Sequence, residues 1–310
     1  APVVVNLTDS TVTYGSGLFT VAANTIEHSG GNLDTLIGPN GVAEVVGRNG
    51  ADWFFGSDRD ESFVGLGGND EIDGGGGFDR LRFDILGDVT GLDIAIDAGF
   101  AIGIYGVTSF SYDISNIEWI TGSANRDEIN GSAADERFDG EGGLDSIDSG
   151  GGNDVISVPD ITFSSVDGGT GQDILELDGG NIHLDFFSGS PPMVTGFETI
   201  DLVADNGGAQ LTITEVDVVN QSTEDNAEIA AAISGSSLDG ATDLLLVNGD
   251  EQDILNLIQE NNDGGSWNLV GGTNSPSLDG YELFAYTNSS GVIGVVAVDE
   301  DVQVQVNNIA

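Results

Sequence analysis

Acidic side chains recur every nine residues along two stretches of this chain. The first run is Asp52, Glu61, Asp70 and Asp79, and the second is Asp127, Glu136, Asp145 and Asp154. Five residues before each acid stands a small residue: Gly47, Gly56, Gly65 and Gly74, then Gly122, Gly131, Gly140 and Ser149. Two residues after each acid stands an apolar one: Phe54, Phe63, Ile72 and Leu81, then Ile129, Phe138, Ile147 and Ile156. The column reaches back through Gly38, Ala43 and Val45, and through Asp34 and Leu36. Two nonapeptides make one coil of eighteen residues, and coils stack at the strand spacing of roughly 4.8 Å. Asp52 is therefore expected beside Asp70, Glu61 beside Asp79, Asp127 beside Asp145, and Glu136 beside Asp154. Carboxylates stacked so closely repel unless a cation lies between them. Hard oxygen ligands in a flexible glycine turn suit Ca2+ better than zinc or copper. With no Cys and only His28 and His183, the chain has little with which to hold a softer metal.

The elements that must position these acids follow from the same period. Glycine allows a tight turn with φ > 0, and the apolar residue belongs to a short strand facing inward. A nine-residue period of this kind marks a repeat architecture. A last turn, G-G-T-G-Q-D at 168–173 followed by Ile174 and Leu175, comes one residue late. Residues 157–166 must absorb that slip as a bulge or loop.

The turns G-R-N-G-A-D (47–52), G-L-G-G-N-D (65–70), G-G-G-G-F-D (74–79), G-E-G-G-L-D (140–145), S-G-G-G-N-D (149–154) and G-G-T-G-Q-D (168–173) resemble the RTX, or haemolysin-type, calcium-binding repeat G-G-x-G-x-D-x-U-x. The resemblance covers about a third of the chain. It implies a parallel β-roll with Ca2+ held between turns. The implied ligands are the carboxylates of Asp52, Asp70, Asp79, Asp127, Asp145, Asp154 and Asp173. To these it adds backbone carbonyls at Gly65, Gly67, Gly74, Gly76, Gly140, Gly142, Gly150 and Gly168. Ala43 removes the acid from G-P-N-G-V-A (38–43), which is expected to be a structural turn. G-S-D-R-D-E (56–61) and G-S-A-N-R-D (122–127) depart from the motif and are expected to bind weakly. Asp58, Asp60, Asp73, Asp148 and Asp167 flank the turns and are expected to be solvated.

Composition agrees. There are 53 acids against 6 bases, a formal charge of −47, and every base is an Arg, at 48, 59, 80, 82, 126 and 137. Such a chain opposes its own compaction, yet 39% of it is apolar and regularly patterned, unlike a disordered acidic tail. Divalent cations bound only by the folded state resolve the conflict. Nucleic acid and anionic membranes are poor partners for this surface. No run of eighteen apolar residues exists to span a membrane.

The expected fold is mainly β. An N-terminal β cap (1–35) precedes a first calcium-binding parallel β-roll block (36–84). A β insertion (85–119) is expected to ride on the roll, followed by a second block (120–178) and a separate C-terminal β-rich module (179–310). The insertion contains L-D-I-A-I-D (92–97), F-A-I-G-I-Y (100–105) and F-S-Y-D-I-S (110–115), which alternate as strands. Residues 113–131 also resemble the segment leading into repeats in RTX proteins. In the C-terminal module only 223–235 reads as a helix, with Thr223 as its cap and Gly235 as its stop. That module resembles the terminal part of RTX surface proteins exported by type I secretion, whose uncleaved signal lies at the extreme C-terminus. No signal peptide is visible, and on this resemblance residue 1 is expected to follow a removed initiator Met.

There is no G-x-S-x-G, no H-E-x-x-H and no cysteine nucleophile, so no enzyme is expected. His28 and His183 are read as structural or surface residues. Trp53, Trp119, Trp267, Tyr105 and Tyr112 could stack on sugars, although packing fits their positions better. The leading expectation is a secreted, extracellular or cell-surface structural protein, a calcium-ordered building block of a surface layer, filament or matrix that self-associates when calcium is bound. The alternatives are an adhesin recognising a polysaccharide or host surface, and the non-catalytic export and folding part of a secreted enzyme.

Overall fold

The computed structural model describes residues 3–8, 12–14, 19–21, 25–28, 33–35, 44–85, 87, 89–179, 181–185, 193–202, 208–214, 217–218, 226, 229–231, 234, 236, 238, 241, 243–259, 265–272 and 278–307. The chain is mainly β, with parallel-strand sheets of the β-roll kind. It forms two compact units, Ala1–Ile147 and Asp148–Ala310. The turn 38–43, Thr223, Gly235 and the side chain of His28 lie outside the described residues.

In the first unit the nonapeptide strands alternate between two sheets. One sheet runs Val45–Val46, Ser62–Val64, Arg80–Arg82, Trp119–Thr121 and Arg137–Asp139, all parallel neighbours. Its central residues Val45, Phe63, Leu81, Ile120 and Phe138 are buried, while their flanks are mostly less so. Three-residue strands with one apolar residue between polar ones can bury only that residue, which is why the apolar column becomes the core. The facing sheet contains Val3–Asn6, Trp53–Phe55 and Glu71–Asp73 in parallel, and it buries Val5, Phe54 and Ile72. Phe54 and Phe63 stack across the interior with ring centroids 6.1 Å apart.

The insertion is built into this second sheet rather than laid over the roll. Thr108–Ser115 pairs parallel with Glu71–Asp73, then antiparallel with Phe100–Tyr105, which pairs antiparallel with Val89–Ala95. Val89–Ala95 in turn pairs parallel with Glu128–Ser132. Ile114 and Ile94 thereby take the buried places that a nonapeptide would fill. Phe110 and Tyr112 stack on Phe83 at 6.0 and 5.8 Å. On the opposite sheet Arg80–Arg82 pairs directly with Trp119–Thr121.

Val3–Asn6 is bonded on both sides, parallel to Trp53–Phe55 and antiparallel to Thr25–His28. The apolar run V-V-V-N-L (3–7), which by sequence alone reads as a chain-end strand with an open edge for assembly, therefore offers none. Val4 and Val5 are buried, and the strand is interior to its sheet.

In the second unit Val155–Val158, Ile174–Leu177, Thr199–Asp201, Asp243–Asn248 and Gly291–Asp299 pair in parallel, in that order. The expected slip is present: Val155 faces Ile174, one residue beyond the eighteen-residue coil, and 159–164 forms the loop that absorbs it. A second parallel set runs His183–Asp185, Gln210–Thr214, Ile254–Ile258 and Gln303–Asn307. Parallel pairing runs on well past residue 178 in both of these sets. Tyr281–Asn288 and Ser266–Gly272 close one sheet in antiparallel fashion. Ile229, Leu238 and Leu278 pack against Leu244, Leu246, Leu283 and Val295 of that sheet. In the described part of the expected helix, Asn226 makes the capping bond. Its Oδ1 accepts from Ile229 N at 3.1 Å and its carbonyl from Ala230 N at 2.9 Å.

The aromatics pack rather than present flat faces. Trp267 and Tyr112 are buried, and Trp119 lies between Arg80 and Arg137, 4.2 and 5.4 Å from its ring centroid. His183 is exposed on its strand.

Candidate calcium-binding turns

The turns put the acids where the period predicts. Asp52 N donates to Asp70 Oδ1, Glu61 N to Asp79 Oδ1, and Asp127 N to Asp145 Oδ1, each at 2.8 Å across eighteen residues. In the second unit Asp154 N donates to Asp173 Oδ1 at 2.8 Å. Each acid thus uses its inner oxygen to clamp the preceding turn, and all of these acids are buried. The outer oxygen faces the first residue of its own turn. A methyl on Gly47 would stand 2.6 Å from Asp52 Oδ2 and 2.8 Å from Gly65 O. On Gly122 it would stand 2.7 Å from Asp127 Oδ2 and 2.9 Å from Gly140 O. A carboxylate oxygen and the next turn's first carbonyl therefore converge at Gly47, Gly56 and Gly122, and any side chain there would fill the space between them.

The outer oxygen divides the turns into two kinds. In 65–70 and 74–79, Asp70 Oδ2 and Asp79 Oδ2 are buried with no hydrogen-bond partner. The second residues of these turns are left-handed, Leu66 at φ 68° and Gly75 at φ 95°, and the fourth are Gly68 and Gly77 at φ 142° and 125°. In 47–52, 56–61, 122–127 and 131–136 the chain caps its own acid. Arg48 N donates to Asp52 Oδ2 at 2.6 Å, and Ser57 N to Glu61 Oε2 at 2.9 Å. Ser123 N and Ser132 N bond Asp127 Oδ2 and Glu136 Oε2, each at 2.7 Å. The hydroxyls of Ser57, Ser123 and Ser132 reinforce these caps. Three of these four turns have Arg59, Asn125 or Ala134 at the fourth position, where a φ near +130° is closed to side chains.

Buried carboxyls of the first kind are costly as anions. Burial, partly offset by the Asp52 backbone hydrogen bond and reinforced by the Asp52 charge, pushes Asp70 up to about 7. Burial does the same to Asp79, with the Glu61 hydrogen bond lowering it and the charges of Glu61, Glu118 and Asp60 raising it. Asp127, also buried but bonded by Ser123 and Leu92, reaches only about 6. Among the described residues no three His, Asp or Glu side chains form a metal-holding group. A cation here must draw on backbone carbonyls together with carboxylates, an all-oxygen set of the kind Ca2+ takes. The orphaned Asp70 and Asp79 oxygens fit such an ion.

Comparison with known families agrees with this chemistry. Residues 46–81 and 115–147 match the RTX calcium-binding nonapeptide repeat (4 copies). The chain carries RTX-type repeats, and RTX nonapeptide repeats are calcium-binding. No curated protein matches the chain. Turns 149–154 and 168–173 lie outside the matched residues yet have the first kind's backbone. Gly150 and Gly152 stand at φ 91° and 125°, and Gly169 and Gly171 at 81° and 140°.

Of the glycines expected to offer carbonyls, Gly65, Gly74, Gly140 and Gly168 occupy first positions and Gly67, Gly76 and Gly142 third positions. Gly150 takes the left-handed second position, and the first belongs to Ser149, whose Oγ donates to Gly168 O at 2.6 Å. Asp60, Asp73 and Asp167, expected to be solvated, accept backbone bonds from Phe78, Gly75 and Gly169. Sequence reasoning missed Glu118, Glu198 and Asp253. These acids lie outside the nonapeptides, yet they accept from Asp79 N, Asp173 N and Ala209 N at 2.9, 2.7 and 2.8 Å.

Two second positions carry side chains in the left-handed region, Leu66 and Glu141 at φ 68° and 61°. Glycine carries no penalty there, whereas L-residues lose about 1–2 kcal/mol. Leu66→Gly and Glu141→Gly are each expected to raise stability in calcium by about 0.5–1 kcal/mol, read from denaturant midpoints at fixed calcium.

Proposed function

We propose that this chain is a non-enzymatic, secreted structural protein, a calcium-ordered block of an extracellular layer, filament or matrix. The observation that carries the reading is the strand Gln303–Asn307. It ends its sheet, bonded only to Ile254–Ile258 among the described residues, and its sequence Q-V-Q-V-N carries no charge. In a chain of formal charge −47, an uncharged open edge is a rare place where two copies can approach. Calcium binding suits an extracellular setting, where modules of about 10⁻⁴–10⁻³ M affinity are filled. No described helix is long and apolar enough to cross a membrane.

Light scattering tests the reading. Particle mass is expected to grow with protein concentration in millimolar calcium and to fall back to monomer in EDTA. Val304→Pro, which removes a donor from the edge strand, is expected to weaken growth at least tenfold while leaving β content intact. A strict monomer at every concentration would favour the adhesin instead. That second reading has its own observation: Ile102, Ile104 and Val107 are exposed on the hairpin of the insertion, Val107 completely.

A further inference from the structure

Two short turns outside the acid comb repeat one another. Ser115-Asn116-Ile117-Glu118 follows the turn 74–79 in space, and Thr195-Gly196-Phe197-Glu198 follows 168–173. Gly74 N donates to Ser115 O at 3.0 Å, and Gly168 N to Thr195 O at 2.9 Å. Asp79 O accepts from Glu118 N and Trp119 N at 3.1 and 2.9 Å, and Asp173 O from Glu198 N and Thr199 N at 3.2 and 3.1 Å. Asn116 and Gly196 are both left-handed, at φ 52° and 78°. Ile117 and Phe197 are both buried anchors. The two units have thus arrived at the same device on different sequences.

The device reproduces what the next nonapeptide would supply. Glu118 Oε2 accepts from Asp79 N at 2.9 Å, the bond that Asp79 Oδ1 itself makes to Glu61 N at 2.8 Å. Asn116 O takes the place of a first-glycine carbonyl: a methyl on Gly74 would strike it, as a methyl on Gly168 would strike Gly196 O. The carbonyl and the acid are here two residues apart instead of five. The extra methylene of Glu over Asp spans the shorter turn.

What lies between the two turns points to a cation. Asp79 is fully buried, and its Oδ2 has no hydrogen-bond partner. That oxygen and Asn116 O both fall within 2.7 Å of the point where a Gly74 Cβ would stand. When Asp79 is ionised, as calcium binding requires, both atoms are acceptors only, and no donor is bonded to Asp79 Oδ2. Two acceptors turned on one buried point repel unless a positive charge lies there.

We infer that Glu118 and Glu198 close the calcium sites of Asp79 and Asp173, each made of one repeat turn and one non-repeat turn. Asp79, Asn116 O and Glu118 form the first, and Asp173, Gly196 O and Glu198 the second. The inference rests on the repeats binding calcium. The Glu-capped turns end runs of repeats without leaving the last acid uncompensated, so the roll can pass from nonapeptides into other sequence.

Equilibrium dialysis of the full chain against radioactive calcium at neutral pH tests this. Glu118→Gln and Glu198→Gln keep an acceptor for Asp79 N and Asp173 N but lose the charge. Each is expected to bind one calcium fewer than the parent chain, and the double variant two fewer, with unchanged circular dichroism at saturating calcium. Glu118→Asp, too short to reach, is expected to lose the same ion. Parent stoichiometry in both single variants would overturn the inference and leave the two glutamates as backbone acceptors only. Each variant reports on its own unit, so failure of one to fold leaves the other readable. A parent chain that binds no calcium would instead sink the calcium reading beneath it.

Discussion

Calcium binding at pH 6 is expected to release about two protons per chain from Asp70 and Asp79 together, and about a tenth as many at pH 8. Both carboxyls stand at about 7 in the folded, metal-free chain, chiefly because burial disfavours their charged form. Their unfolded values are near 3.8. The sign follows from that order. Between pH 4 and 7 the folded chain holds more protons than the unfolded one, so metal-free stability is fullest below pH 4 and is lost as pH rises through 7. Calcium acts in the opposite sense, since it needs both groups ionised. Its apparent affinity is therefore expected to climb from pH 5.5 to 8, just where the metal-free fold weakens. Titration calorimetry in buffers of different ionisation enthalpy counts the released protons. A calcium affinity that is flat across this range would contradict the burial argument.

The two kinds of turn are expected to answer mutation in opposite ways. Asp79→Asn retains an acceptor for Glu61 N and places an amide donor where the orphaned oxygen stood. The metal-free chain should gain about 1–3 kcal/mol, while stabilisation by calcium shrinks by roughly 3 kcal/mol, the worth of one site at a hundred times its dissociation constant. Asp127→Ala removes the acceptor for Leu92 N and for both Ser123 donors. Buried donors left unsatisfied cost about 1–3 kcal/mol each, so with three of them orphaned this variant should lose at least about 3 kcal/mol with or without calcium. Denaturant midpoints in saturating and in just-sufficient calcium separate the two cases. Equal responses would show that self-capped and orphaned turns do not differ in metal dependence.

Much of this was legible in the sequence because the period carries both core and chemistry. Phe54, Phe63, Ile72 and Leu81 had to face inward, and acids eighteen residues apart had to meet. The role of Ser57, Ser123 and Ser132 was hidden, since a serine after a glycine reads as an imperfect repeat until its hydroxyl and amide are seen on the acid. Arg59 and Asn125 at the fourth position were the available signal, because neither tolerates the φ that Gly68 and Gly77 adopt. The place of the insertion was not legible either. F-S-Y-D-I-S alternates whether its strand covers a sheet or joins one, and only the pairing of Ile114 with Ile72 decides. Glu118 and Glu198 escaped because their turns share only a pattern, N-I-E-W-I against G-F-E-T-I, too short to stand out without the hydrogen bonds. The open-edge reading of residues 3–7 failed because their partners, Thr25–His28 and Trp53–Phe55, come from two distant segments.

The second unit poses the charge problem most sharply. No Lys or Arg follows Arg137, so its carboxylates can be answered only by neutral donors, His183 or metal. The first unit at least sets Arg82 against Asp84 and Glu44, at 2.6 and 2.8 Å. Chelation should therefore loosen the second unit first.

Far-ultraviolet circular dichroism of the full chain at pH 7.5, taken in EDTA and then through a calcium titration, tests the central claim most directly. Calcium-dependent folding predicts that β signal is largely lost in EDTA and returns cooperatively by millimolar calcium. Magnesium at the same concentration should restore little, because its small octahedral shell suits carbonyl-rich turns poorly. A full β spectrum in EDTA, unchanged when calcium is added, would contradict it.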